Sequence, residues 1–259
     1  MEVLRQLVSR DKHITSFLQD IQSGQTASQL ITGLTGSARP VMVDALFEYV
    51  KKPIYIVSPN LLQAQRMVDE LAGLLGEENV HYYPADEFIA ADLSVASPEL
   101  RAERIATLDC LARGEKAVYV IPVAGLRKIM QPKEHWLHYF LQTTVGDEIE
   151  VDAWLQTLVE MGYVRNSMVT TPGEFALRGG ILDIYPPYLA SPIRIELFDT
   201  EVDSIRTFSA DDQRSINKLQ KIRILPASEV ILTKSERQTL AERLEKALGA
   251  SLKKVKRQE

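Results

Sequence analysis

The sequence contains a single cysteine, Cys110, so no disulfide within the chain can stabilise the fold. One thiol among 259 residues is typical of a reducing compartment, and we expect a cytoplasmic location. No apolar run approaches the roughly 20 residues that cross a bilayer. The opening stretch MEVLRQLVSRDKH mixes charged and apolar side chains, which argues against a secretory signal peptide.

An excess of positive charge is also lacking. The chain carries 30 Lys and Arg against 35 Asp and Glu, a net charge of −5, whereas a dedicated DNA-binding domain is usually basic. With 45% hydrophobic and 25% charged residues, the composition suits one large globular domain or two small ones. The final residues, KALGASLKKVKRQE, predict a helix, and we expect the sequence to be a fragment of a longer chain.

Strands and helices alternate in the first half of the sequence. A short apolar strand covers residues 54–57, and a helix is expected directly after it, with Ser58 as its cap and Pro59 in its first turn. A later helix has Ser97 as its cap and Gly114 as its terminator. This rhythm predicts a parallel sheet with helices on its faces. The predicted strands are TASQLITGL, IYIV, VHYYP and AVYVIP, and a further helix covers VMVDALFEYV.

The pattern changes after Pro122. A helix over EVDAWLQTLVEMG, capped by Asp152, is followed by closely spaced strands that predict an antiparallel meander. One more strand ends at Pro226 and could return to the first sheet. The predicted fold is therefore an α/β protein in which a degenerate P-loop-like, parallel-sheet domain, residues 1–123 plus 210–259, carries an inserted α+β antiparallel-sheet domain, residues 124–209.

The stretch GLTGSARP begins like a phosphate-binding loop, whose pattern is G-x-x-x-x-G-K-[ST]. Ala38 replaces the second glycine, Arg39 the lysine, and Pro40 the hydroxyl residue that binds Mg²⁺. Proline offers neither a hydroxyl nor an N–H, so we expect no ATP hydrolysis. A plain strand-to-helix turn is the alternative interpretation. The degenerate nucleotide loop comprises Gly33, Gly36, Ser37, Ala38, Arg39 and Pro40.

Three stretches together resemble a known family: GLTGSARP, GEFALRGGILDIYPPY and PIRIELFDTEVDSIRTF. They are similar to the N-terminal part of the nucleotide-excision-repair protein UvrB, whose loop reads much like G-V-T-G-T-G-K-T. The same layout with a broken loop resembles the N-terminal UvrB-homology module of the bacterial transcription-repair coupling factors. The resemblance covers nearly the whole chain.

The segment between Tyr83 and Arg101 departs from UvrB, which carries there a long aromatic-rich hairpin that grips one DNA strand. This chain has only PADEFIAADLSVASPEL, in which Phe88 is surrounded by acidic residues. Gripping a single strand requires aromatic platforms with basic neighbours. The module is therefore expected neither to hydrolyse ATP nor to verify damage. The acidic neighbours are Asp86, Glu87 and Asp92.

The resemblance implies that the inserted domain docks onto the damage-recognition ATPase UvrA. Arg165 of GYVRNS and Arg178 of FALRGG match docking arginines of the family, while Ala176 stands where the family has a third. The strand IRIELF matches the next part of the motif. The predicted docking residues are Arg165, Arg178, Arg194, Glu196 and Phe198.

Strand alternation agrees with docking. It places Arg194, Glu196 and Phe198 on one face and the apolar residues between them on the other. Arginine and aromatic side chains are enriched at binding hot spots. The alternative is a solvated sheet face whose local ion pairs contribute at most about 1 kcal/mol each.

The same family resemblance sets further expectations. The full-length protein would bind stalled RNA polymerase and DNA and use ATP and Mg²⁺ in a separate motor, whereas this fragment would be no enzyme and need no cofactor. Another domain of the chain would mask the docking face at rest. Two rival functions are an active nucleotide hydrolase with a variant loop and a nucleic-acid-binding module. His135 and His138, at i, i+3, lack the partners of a metal site, and Cys110 is predicted to be a small core residue.

Overall fold

A computed structural model describes residues 11–24, 28–85, 97–128 and 130–255. The acidic segment around Phe88 lies outside these ranges. The chain divides into two compact units, residues 1–129 and 130–259. No helix in the described ranges is both long and apolar enough to cross a membrane.

The first unit contains a three-stranded parallel sheet in the order β1-β3-β2. This confirms the predicted parallel sheet and the alternation that produces it. The strands are β1 (Ile54–Ser58), β2 (Val80–Tyr82) and β3 (Val118–Pro122). The helices are α1 (Lys12–Ser23), α2 (Ala38–Val50), α3 (Leu61–Leu75) and α4 (Pro98–Arg113).

The two faces of this sheet differ in character. One packs on α2 and α3 through buried apolar residues that include Phe47, Leu71 and Val120. The other carries a row of rings, because the register aligns Tyr55, Tyr119 and His81 across the three strands. Adjacent rings in this row stack with centroids 5.5 and 5.4 Å apart.

Capping explains where two of the helices begin. Ser97 accepts a hydrogen bond from the N–H of Leu100, which confirms the predicted start of α4. Asn60, and not Ser58, caps α3, since its side chain accepts from the N–H of Gln63 at 2.9 Å. The strand predicted for TASQLITGL is wrong in its described part, because residues 28–35 form no regular element.

The second unit is built on a six-stranded sheet in the order β10-β9-β8-β7-β6-β5. The predicted antiparallel meander is confirmed from β6 to β10. It is wrong for its first strand, because β5 pairs parallel with β6. Its strands are β5 (Val164–Arg165), β6 (Glu174–Arg178), β7 (Ile181–Ile184), β8 (Ile193–Phe198), β9 (Glu201–Phe208) and β10 (Ser215–Leu219). The unit also contains β4 (Leu141–Thr144), β11 (Lys221–Ile224), α5 (Lys133–His138), α6 (Val151–Glu160) and α7 (Lys234–Val255).

Strand β11 pairs antiparallel with β4. The expectation that the strand before Pro226 could return to the first sheet is therefore wrong, and β4 itself was missed by the sequence pattern. The predicted domain limits, 1–123 plus 210–259 against 124–209, stay a prediction. At α6 the cap position is Glu150, so Asp152 lies inside the first turn.

Alternation along the central strands creates one apolar face. Phe175, Leu182, Ile193, Ile195 and Ile205 are all buried on it. Burial of such side chains contributes roughly 1.5–3 kcal/mol each and fixes the register, since a one-residue slip would reverse the faces. The opposite face carries the charged residues of the candidate site.

Candidate docking surface

The face opposite this apolar core is called here the polar face: Arg178 on β6, Asp183 on β7, Arg194 and Glu196 on β8, and Arg206 on β9. Strand register aligns these residues in two rows. Asp183 lies opposite Arg194, which lies opposite Arg206. Arg178 and Glu196 both lie opposite Ile181, in the adjacent row.

Asp183 organises this face. It is only 1% exposed, and its two carboxylate oxygens accept hydrogen bonds from Arg194 Nε and Nη2 at 2.7 and 2.8 Å. Arg178 Nη2 donates to the same carboxylate at 3.1 Å. Asp183 is not among the predicted docking residues, although an Asp inside the apolar stretch GILDIYP is itself a signal of a paired, buried charge.

Arg194 is held inside the protein. Its side chain is 13% exposed, its guanidinium lies over the ring of Phe208 with 4.3 Å between Cζ and the centroid, and Nη2 also donates to Gln213 Oε1 at 2.9 Å. Hydrogen bonding to Asp183 raises the pKa of Arg194, against the lowering effect of burial. Since Nε and Nη2 of Arg194 donate to Asp183 and Gln213, this side chain stabilises the sheet itself. Its predicted contact with a partner stays a prediction.

Glu196 is likewise paired within the sheet. It accepts a hydrogen bond from Ser204 Oγ at 2.7 Å and forms an ion pair with Arg206. An Arg–Glu ion pair within the sheet is what the alternative interpretation, a solvated sheet face with local ion pairs, predicted for this strand. These contacts leave Glu196 half-buried.

Arg178 differs, because its side chain is 47% exposed while one Nη is bonded to Asp183. Since a guanidinium has five N–H donors in a planar fork, the bond to Asp183 orients the group and leaves donors for a carboxylate. The turn that follows demands glycine. Gly179 has φ +59°, and a Cβ on Gly180 would lie 2.6 Å from the carbonyl oxygen of Leu197. Leu197 N–H also donates to the Gly180 carbonyl at 2.7 Å, so the turn lies against the end of β8.

Phe198 is at that end of β8 and is 79% exposed. Its neighbour Asp199 has φ +59°, a left-handed conformation that turns the chain into β9. A register shift between Glu196 and Leu197 marks the last part of this strand pair. The turn after Arg178 and the end of β8 thus present a guanidinium and a solvent-exposed aromatic ring on the same part of the sheet.

Arg165 is placed differently from the other predicted residues. It lies on the edge strand β5, in register with Phe175. Since paired residues in parallel strands share a face, Arg165 is on the side of Phe175, opposite to that of Arg178. It is exposed. The sheet therefore brings Arg178, Arg194, Glu196 and Phe198 onto one face but does not bring Arg165 there.

Ala176, where the family has a third arginine, is buried. It packs with Val169, Phe208 and Tyr185 in a small apolar cluster on the polar face. A small apolar side chain therefore fits this buried position.

Glu174 fastens the loop between β5 and β6. Its Oε2 accepts from the backbone N–H groups of Thr170 and Thr171 at 2.8 and 2.9 Å. Burial raises the pKa of Glu174, but the hydrogen bonds from Thr170 and Thr171 outweigh it and leave the pKa below its usual value. The anionic form therefore orders the loop that follows Arg165.

In the degenerate nucleotide loop, backbone N–H donors are bonded to carbonyl groups of the loop itself. The N–H groups of Ala38 and Arg39 are directed at the carbonyls of Thr35 and Gly36, at 3.1 and 3.4 Å. Arg39 Nε also donates to the Leu34 carbonyl at 3.2 Å. These contacts disfavour phosphate, because its ligands would be the same N–H groups. The loop borders a cleft of about 460 Å³ that is also lined by Ser58, Gln63, Arg66 and Glu70.

The histidine pair has structural contacts. His135 Nε2 lies 3.1 Å from the Ile231 carbonyl oxygen, and the rings of His135 and His138 pack on Tyr139 with centroids 5.1 and 5.3 Å away. Trp136 and Tyr139 are buried beside them. These contacts suit a packing role for both histidines.

Comparison with known proteins places this geometry in a family. Residues 141–230, which include the six-stranded sheet, match the family described as the UvrB interaction domain. The transcription-repair-coupling factor of Bacillus subtilis is 44% identical over 99% of this chain. That of Staphylococcus aureus strain Mu50 is 38% identical over 98% of it.

In both cases the chain spans only 22% of the length of the curated relative. The match runs through both compact units of the chain. It includes the broken glycine loop and the polar face alike. The chain therefore belongs to the family of bacterial transcription-repair-coupling factors (Mfd), of which it contains the UvrB interaction domain.

Proposed function

We propose that this chain is a protein-docking module that recruits UvrA to lesions where RNA polymerase has stalled. The observation that carries the proposal is the pairing of two exposed groups on the polar face. Arg178 is half-exposed and held by a buried carboxylate, and Phe198 is 79% exposed at the adjoining end of β8. Arginine and aromatic side chains on a rigid sheet are the residue types that dominate binding energy.

The chemistry of these groups defines the surface of the partner. Arg178 would take a carboxylate in a bidentate pair, and Phe198 would enter an apolar pocket. Because Asp183 already restricts the guanidinium, little rotamer entropy is lost on binding, which favours affinity. Arg165, on the other side of edge strand β5, would contribute only if the partner wraps around that edge.

The first unit would have a structural role, as a support for the docking unit, and no catalytic one. It is a parallel-sheet domain with a degenerate P-loop, and the inward hydrogen bonds of Ala38 and Arg39 support the absence of ATP hydrolysis. RNA polymerase, DNA, and the ATP and Mg²⁺ of a motor would be bound by other parts of the full-length protein in the cytoplasm. Another domain of that protein would mask the polar face at rest.

Titration of purified UvrA with this chain, followed by calorimetry, tests the proposal. The double variant Arg165→Ala plus Arg178→Ala should weaken binding by roughly 2 kcal/mol or more. The affinity of each single variant then shows which face of the sheet contributes, because Arg178 is on the polar face and Arg165 on the opposite one. Arg214→Ala is the matched control, because Arg214 belongs to the same unit and its side chain is 86% exposed. Wild-type affinity in the double variant would contradict the site, and absence of UvrA binding would contradict the function.

A further inference from the structure

A cluster of three different metal-binding side chains lies in the first unit. His81 is on β2, Cys110 is on α4, and Glu115 follows α4. A ring nitrogen of His81, the Sγ of Cys110 and a carboxylate oxygen of Glu115 all lie within 4.8 Å of one another. Each residue is half-buried, so the cluster is accessible from solvent but not fully surrounded by water.

We propose that His81, Cys110 and Glu115 form a zinc-binding site. Imidazole nitrogen, thiolate sulfur and carboxylate oxygen are the three donor types that proteins offer to Zn²⁺. The thiolate and imidazole disfavour Mg²⁺ and Ca²⁺, which select oxygen ligands. Three protein ligands leave a fourth tetrahedral position for water.

The separations fit after a small adjustment. Bonds of about 2.0–2.3 Å at tetrahedral angles place the donor atoms roughly 3.3–3.8 Å apart. From the present limit of 4.8 Å, the three donors must therefore close by up to about 1.0–1.5 Å. Small χ rotations of the half-buried Glu115 and His81 side chains would supply this adjustment.

The backbone brings these donors together without any metal. Gly114, with φ +69°, ends α4 and folds the chain back, and the N–H of Glu115 donates to the carbonyl of Cys110 at 3.1 Å. Thr107 Oγ1 donates to the Tyr82 carbonyl at 2.6 Å and so fixes α4 beside β2. The ring of His81 stacks on Tyr119 with 5.4 Å between centroids.

Arg113 is the competitor for this position. Its guanidinium contacts Glu115, and Nη2 lies 3.8 Å from Cys110 Sγ. It has a second, buried partner, because Nε donates to Asp109 Oδ2 at 2.8 Å. A bound cation would displace Arg113 from Glu115 while Asp109 retains it.

The thiol of Cys110 carries its proton in the metal-free protein. Burial, together with the hydrogen bond to Glu115, raises the pKa of this thiol to about 12. Zinc binding would release that proton, as it does at other cysteine sites. Cys110, expected from the sequence to be a plain core residue, would then be a ligand.

Titration of the 259-residue chain with Co²⁺, and displacement of Co²⁺ by Zn²⁺, tests the proposal. Because Cys110 is the only cysteine, a sulfur-to-cobalt charge-transfer band can arise only from it. We expect the band at one metal per chain and its loss in Cys110→Ser. His81→Ala and Glu115→Gln should each weaken metal binding at least about tenfold.

Two further variants sharpen the result. His135→Ala, which removes a histidine of the other unit, should leave the affinity unchanged. Arg113→Gln should strengthen binding, because it removes the competing cation. Circular dichroism of each metal-free variant checks that the fold is retained. A missing charge-transfer band, one metal per two chains, or wild-type Zn²⁺ affinity in all three ligand variants would overturn the site.

Discussion

Asp183 and Arg194 form a two-point ion pair across β7 and β8, with nitrogen–oxygen distances of 2.7 and 2.8 Å. The carboxylate is 1% exposed and the guanidinium side chain 13% exposed. Two adjacent strands are thereby joined on the polar face by a contact that needs both charges. Arg178 shares the same carboxylate, so the exposed arginine of the candidate docking surface is connected to the interior of the sheet.

Breaking this pair should destabilise the protein. Asp183→Asn leaves the Arg194 charge partly buried and unpaired, and we expect the free energy of unfolding to fall by roughly 3 kcal/mol. Urea unfolding measures the loss. Asp212→Asn is the control, because Asp212 forms a more exposed ion pair with Arg214, 3.7 Å apart, whose loss should be less than about 1 kcal/mol. Equal losses in the two variants would show that burial of Asp183 does not matter.

Phe198 should matter for binding and not for stability. Phe198→Ala removes a ring that is 79% exposed, so the unfolding midpoint should hardly change, while affinity for UvrA should fall by about 2 kcal/mol or more. Calorimetric titration and thermal unfolding of one preparation give both values. Ile216→Ala on β10 is the matched control, since Ile216 is also exposed. A large stability loss with intact binding would contradict the assignment.

Gly180 should tolerate no side chain. In Gly180→Ala the added Cβ would lie 2.6 Å from the Leu197 carbonyl oxygen, so the turn or the end of β8 must shift. We expect a loss of roughly 1–3 kcal/mol in the free energy of unfolding. Gly73→Ala is the control, because nothing lies within 4 Å of its added Cβ in α3 and helix propensity should raise stability slightly. Unchanged stability of the Gly180 variant would refute the close contact.

Glu174 should contribute stability that acid removes. Its pKa is lowered in the folded protein, so its contribution is present above the unfolded value of about 4.5 and is lost as pH falls through the folded pKa. The stability difference between the wild type and Glu174→Gln should therefore shrink below about pH 4.5. Urea unfolding across the range pH 3–7 measures it. A difference that grows on acidification would show the opposite sign of the pKa shift.

The broken glycine loop should support no ATP turnover. Pro40 offers neither hydroxyl nor N–H, and the N–H groups before it are directed at loop carbonyls. Incubation with Mg-ATP and assay of released phosphate should give the buffer rate, in the wild type and in Arg39→Ala alike. Turnover that depends on Arg39 would instead favour the hydrolase interpretation.

Local signals in the sequence predicted several elements because local chemistry specifies them. Ser97, Pro98 and Gly114 define α4 by capping alone, and the structure agrees. Local signals gave the wrong element where secondary structure depends on strands that are distant in sequence. TASQLITGL has strand-like residues but forms no strand in its described part, and LQTT became β4 only because β11 is available to pair with it.

Local pattern likewise predicted only part of the candidate site. Alternation along IRIELF predicted which side chains leave the core, since side chains in a strand point alternately to its two faces. It did not show that Arg194 is hydrogen-bonded to Asp183 and lies over the ring of Phe208, because those partners are on other strands. Nor did it show that Arg165 and Arg178 lie on opposite faces.

The sequence by itself determined the strand and helix periodicity, the family, the loss of the loop residues that bind Mg²⁺, and the turn glycines after Arg178. The tertiary structure decided which charged residues are satisfied internally and which stay exposed. The physical reason is that a charge loses most of its hydration on burial and must find a partner, and strand register selects that partner from residues far away in sequence. Asp183 thus pairs with Arg194, while Phe198, past the register shift, is left facing solvent.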